Sequence, residues 1–81
     1  MKLLLVEDDA TAAAYVCKAF KEHGHTVDHA VSGKDGLMLA ATGSYDVLIL
    51  DRMLPELDGL TIVRTLRASD VKTPVLMLTA L

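Results

Sequence analysis

Tyr45 to Gly59 reads YDVLILDRMLPELDG, and this stretch decides the fold. Four large aliphatic residues in a row, Val47-Leu48-Ile49-Leu50, stop abruptly at Asp51. An unbroken aliphatic run between polar boundaries suits a strand buried on both faces of a parallel sheet, because a half-exposed strand would alternate. Arg52-Met53-Leu54-Pro55 and then Asp58-Gly59 mark a turn before the next helical pattern. Asp51 is therefore expected at the carboxyl end of a hydrophobic strand, the edge of an open α/β sheet where ligands bind.

The flanking sequence repeats the scheme. Lys2–Val6 is a second aliphatic run, and it too ends in acids, Glu7, Asp8 and Asp9. Thr11–His23 turns helical, with Ala12, Val16, Ala19 and Phe20 on one face, Asp9 as N-cap and Gly24 past the end. Thr26–Val31 is a more polar strand suited to a sheet edge. Ser32 caps a short helix, Lys34–Thr42, with Leu37, Ala40 and Ala41 inward. The central strand is expected over Asp46–Leu50. A helix follows from about Leu57 to Ala68, with Leu60, Val63 and Leu66 on one face. Pro74 opens a last strand, Val75–Leu78. The order βαβαβαβ predicts an α/β fold with a parallel, doubly wound sheet. Right-handed crossovers put every strand's carboxyl end on one rim, which gathers Glu7, Asp8, Asp51 and Thr79.

Composition narrows the class. With 81 residues, the chain has room for one small domain, and 52% apolar against 4% aromatic residues makes its core aliphatic. A net charge of -3 lacks the polybasic signature of a nucleic-acid or anionic-lipid binder. One cysteine, Cys17, excludes an internal disulfide and fits a reducing cytosol; it reads as a packing residue of the first helix. The aliphatic run in MKLLLV is too short for a signal peptide, and no stretch is long enough to span a membrane. A cytoplasmic location with no membrane partner is the expectation. His23, His25 and His29 straddle a helix end and an edge strand without metal-ligand spacing, so they read as solvated.

Converging carboxylates repel one another and raise their pKa values unless a cation sits among them. Oxygen ligands of this kind favour Mg²⁺, which takes one or two carboxylates together with phosphate oxygens. A carboxylate beside that ion is also a nucleophile toward phosphorus. A Thr79 hydroxyl across the rim could hydrogen-bond a phosphoryl oxygen.

Three segments, LLLVEDD (3–9), DVLILDRMLPELDG (46–59) and PVLMLTA (74–80), together resemble the receiver domain of two-component response regulators. LPELDG and MLTA are most similar to the subfamily that carries a winged-helix DNA-binding domain after the receiver. The resemblance implies a flavodoxin-like sheet of strand order 2-1-3-4-5 and a phosphoacceptor at Asp51. It implies Mg²⁺ held by Asp8, Asp51 and the Met53 backbone carbonyl, with Glu7 acting through water. Asp9 resembles a helix cap, Thr79 the switch hydroxyl, and Ala80 the small residue that leaves the site open. A sensor histidine kinase is the implied donor.

Family receivers continue through a further helix, a fifth strand with an essential lysine, and a final helix. None of these is in this sequence, so residues 1–81 are expected to be a truncated receiver lacking the last α-β-α, with no DNA-binding domain. Arg52, next to Asp51, is expected to be solvated rather than to replace that lysine. A fourth strand left as an edge implies self-association, with a homodimer as the expected partner state. Two other functions stay open: a phosphotransfer-incompetent assembly fragment, and a Mg²⁺-dependent phosphatase. The phosphatase would need an acid two residues after its nucleophile, where this chain has Met53.

Overall fold

A computed structural model describes residues 1–78. Four parallel strands, β1 (Lys2–Val6), β2 (Thr26–Ala30), β3 (Val47–Asp51) and β4 (Val75–Leu78), form one sheet in the order β2-β1-β3-β4. Three helices, α1 (Ala10–Glu22), α2 (Gly33–Thr42) and α3 (Gly59–Ala68), alternate with them. The expected element order and the 2-1-3-4 strand order are both observed.

The aliphatic runs of β1 and β3 are continuous because both faces of the sheet are covered. Leu4, Val6, Leu48 and Leu50 point to one side, against Ala40 of α2 and Ile62 and Leu66 of α3. Leu3, Leu5 and Ile49 point to the other, against Ala13 of α1 with Val16, Cys17 and Phe20 around it. Alternation along each strand thus sends successive side chains into two different apolar layers. β2 lies at the edge and buries only Val27 and Ala30, which explains its polar sequence.

Helix ends follow local chemistry. Asp9 caps α1, its Oδ1 accepting from Thr11 N at 2.9 Å and Ala12 N at 3.1 Å. Ser32 Oγ accepts from Asp35 N at 3.1 Å and opens α2. Asp58 Oδ1 accepts from Thr61 N at 2.8 Å, which starts α3 at Gly59 and corrects the expected start near Leu57. β3 begins one residue later than expected and ends on Asp51, which pairs with Leu78. Asp46 instead ties the strand's entrance to β1, its Oδ2 accepting from Lys2 N at 2.7 Å.

The structure also corrects the buried helix faces. On α1, the inward stripe is Ala13, Val16, Cys17 and Phe20, while Ala12 and Ala19 are exposed. On α2, Gly33, Gly36 and Ala40 are buried and Ala41 is exposed. On α3, Ile62 and Leu66 are buried, one turn apart, and Leu60 faces outward. Small residues account for much of the error. A β-carbon on Gly36 would lie 2.5 Å from Val6 Cγ2, so α2 sits directly on β1 through a residue that hydrophobicity cannot flag.

At the amino ends of the strands, Tyr45 donates its hydroxyl to Asp28 Oδ2 at 2.7 Å, and Lys2 Nζ lies 5.0 Å from its ring centre. Burial first, and then the Asp28 carboxylate, push the Tyr45 hydroxyl up to about 12. This pair ties the entrance of β3 to β2, on the side of the sheet away from the acidic rim. Among the described residues, no helix is long and apolar enough to cross a membrane.

Candidate functional site: an acidic rim at the strand ends

β1 and β3 pair in register, with Val6 opposite Leu50. The next residue on each strand therefore brings Glu7 and Asp51 side by side. Carboxylate oxygens of Glu7, Asp8 and Asp51 all lie within 4.8 Å of one another. Glu7 is only 8% exposed, Asp51 is half-buried and Asp8 is exposed, so the cluster opens to solvent on the Asp8 side.

Each acid is held locally. Glu7 N donates to Ala30 O at 3.1 Å, extending the β1–β2 ladder one residue past the strand. Glu7 Oε1 accepts from Asp9 N at 3.1 Å. Asp51 Oδ1 accepts from Met53 N at 3.0 Å, which folds the chain after β3 into a tight turn. Gly59 lets the first turn of α3 lie against that end, since a β-carbon there would stand 2.9 Å from Asp51 O. An open cleft of about 580 Å³ starts at Asp8 and follows the β3–α3 loop past Arg52, Met53, Leu54, Pro55, Asp58 and Leu60.

The convergence carries an electrostatic cost. Burial is the main cause that pushes the Glu7 carboxyl above its ordinary value, and the neighbouring Asp51 and Asp8 charges add to it. The Asp9 N–H opposes the shift and does not cancel it. A carboxyl raised on folding favours the folded state most when it is protonated, below the unfolded value. That contribution is lost as pH rises through the folded value. Glu7→Gln should therefore stabilise the chain by about 1 kcal/mol at neutral pH, as removal of functional-site strain commonly does. The gain should disappear in acid, where both side chains are neutral. Thermal denaturation of the two chains across pH checks this; an equal midpoint at pH 7 would refute the cost of the buried, crowded Glu7 carboxylate.

Glu7, Asp8 and Asp51 are thus brought together as the sequence implied, and Asp9 serves as a helix cap. Met53 contributes its N–H to Asp51, while its side chain stays exposed. Arg52 is exposed along the cleft. Thr79 and Ala80 lie outside the described residues. His29, read from the sequence as a solvated edge residue, is exposed, and its Nε2 nonetheless lies 2.7 Å from Glu7 O. Its position at the end of a strand expected beside β1 was the available signal. His23 and His25 bind elsewhere, to Ala19 O and against the Phe20 ring.

Three hard, mutually repelling oxygen donors at one rim suit a divalent cation such as Mg²⁺, whose charge would relieve the repulsion. Known proteins carry the same fold. The receiver domain of Francisella response regulator 1452 superposes with a TM-score of 0.94 at 39% identity, covering 99% of this chain and 66% of that one. The receiver domain of sensor histidine kinase PA1611 from Pseudomonas aeruginosa superposes with a TM-score of 0.92 at 30% identity, covering 98% of this chain and 66% of that one. That domain was crystallised with a magnesium ion coordinated in its active-site cleft. The transcriptional regulatory protein CusR of Escherichia coli is 49% identical over all 81 residues, and the chain spans 36% of its length. Residues 3–81 match the family described as the response regulator receiver domain. With the strand order, the acidic rim and this match in agreement, the chain belongs to the response-regulator receiver domain family.

Proposed function

We propose that this chain, residues 1–81, is a receiver that accepts a phosphoryl group on Asp51 from the phosphohistidine of a sensor histidine kinase. The observation that carries this reading is the convergence of Glu7, Asp8 and Asp51 within 4.8 Å at the carboxyl ends of two buried strands. An Asp51 carboxylate oxygen attacks phosphorus, and the P–O bond forms as the P–N bond breaks. The donor imidazole leaves with the P–N electron pair and takes a proton from solvent.

Asp8, Asp51 and the Met53 backbone carbonyl would hold Mg²⁺, with Glu7 acting through water. The ion would supply the positive charge that offsets the phosphoryl oxygens. The family resemblance assigns the switch hydroxyl to Thr79 and the small residue next to it to Ala80, both outside the described residues. Met53 N–H orients the Asp51 carboxylate.

The receiver reports a signal and turns over no substrate. CusR is a transcriptional regulatory protein of which the chain spans 36%. By that likeness the output of this receiver would be on transcription in the cytoplasm, through a DNA-binding domain that residues 1–81 do not include. The test is intact-mass spectrometry after treatment with phosphoramidate and Mg²⁺. One phosphoryl unit per chain is expected, and chelation before treatment should prevent it. A folded chain that gains no mass would refute the acceptor role for these 81 residues.

A second reading rests on β4. In the described sheet it pairs on one side only, with β3, and Leu76 is 53% exposed. An apolar edge of this kind pairs with another chain. Self-association through β4 should appear as a scattering mass that rises from one chain toward two with concentration. A mass that stays at one chain throughout removes this reading.

A further inference from the structure

β2 supports the acidic rim through a side chain as well as through its backbone. The two strands run in register, Leu5 opposite His29 and Val6 opposite Ala30. The backbone ladder continues as far as Glu7 N, which donates to Ala30 O at 3.1 Å. At the next position the His29 ring takes over, with Nε2 2.7 Å from Glu7 O. A carbonyl can only accept, so Nε2 carries the proton and donates. Glu7 is thereby held on both sides of its α-carbon by β2. The peptide that His29 grips is the one joining Glu7 to Asp8, and its plane sets the direction in which Asp8 leaves the strand.

We propose that His29 is a positioning residue for the acidic site, its Nε2–H fixing the Glu7–Asp8 peptide so that the Asp8 carboxylate meets those of Glu7 and Asp51. This rests on the reading of the three carboxylates as a cation site. His29 acts through the backbone and touches neither the cation nor the phosphoryl group. Partners of this outer kind orient the ligands they hold, and their removal typically weakens metal affinity by about 10- to 100-fold.

The experiment is calorimetric titration of Mg²⁺ alone into the wild-type chain, His29→Ala and His29→Gln, with thermal midpoints measured on each without Mg²⁺. Glutamine keeps an amide N–H near the position of Nε2. His29→Ala should bind roughly tenfold more weakly, and His29→Gln should return to within about twofold of wild type. Equal affinity of His29→Ala and wild type overturns the assignment. So does a His29→Gln chain as weak as His29→Ala, since packing of the ring and not its donor would then matter. Should His29→Ala fail to fold, the glutamine variant and the imidazole ¹⁵N resonances of the wild type decide, and a ring protonated on Nδ1 alone overturns the assignment. A folded wild-type chain that takes no Mg²⁺ overturns the cation reading itself, and this assignment falls with it.

Discussion

Asp51→Ala will carry no phosphoryl adduct under conditions that fully modify the wild-type chain. The reason is geometric. Asp51 is the last residue of β3, half-buried, with one oxygen oriented by Met53 N at 3.0 Å. Neither neighbouring acid is placed to substitute. Glu7 is 8% exposed, holds its proton more tightly than an ordinary glutamate, and has Oε1 engaged by Asp9 N. Asp8 is open to solvent, where water competes for any activated phosphorus. The loss should be complete within detection, a change of more than about 100-fold, because the variant lacks the atom that forms the new bond. Asp51→Asn should behave alike while keeping the shape of the side chain. Each variant removes one of three repelling charges, so neither should lower the thermal midpoint. An adduct that persisted on a folded Asp51→Ala chain would move the acceptor elsewhere.

The second large effect is on stability. Leu48→Ala should cost about 3 kcal/mol, within the range of buried leucine truncations. Leu48 is fully buried in β3, between Leu4 of β1 and Val75 of β4, and belongs to the layer that contains Ile62 and Leu66. A domain of this size has a total stability of only about 4–12 kcal/mol. For such a domain each kcal/mol moves the midpoint by about 4–8 °C, so the expected fall is roughly 12–24 °C. Leu76→Ala is the internal comparison. It is 53% exposed on β4 and should change stability by no more than about 0.5 kcal/mol. Equal costs at the two positions would mean that the sheet is not covered as described. Because Leu48 and Asp51 share one short strand, the Leu48 variant should also lose adduct in proportion to its unfolded fraction.

The strands were the most legible part of the chain. Unbroken aliphatic runs ending in acids named β1 and β3, and both are buried on both faces. The helices were legible as elements, while their faces were less so. Alanine and glycine occupy the inward positions of α1 and α2, and a hydrophobic pattern gives small residues little weight. Ala13 takes the place in the stripe that Ala12 and Ala19 were expected to fill, while Cys17 packs there as expected. The start of α3 shifted for a similar local reason, since one Asp58 hydrogen bond outweighed the apolar Leu57 as the point of entry.

By itself, the sequence determined which residues could do chemistry and which strands would carry them. A strand's period and the acid that ends it are properties of neighbouring residues. Only the tertiary structure decided how those acids meet. Register between β1 and β3 brings Glu7 beside Asp51, and the contact between His29 and Glu7 O crosses 22 residues of chain. The raised Glu7 carboxyl arises from burial beneath elements that pattern alone cannot assemble. Pairing and desolvation depend on separations in space, and spacing along the chain specifies those only after the sheet has closed.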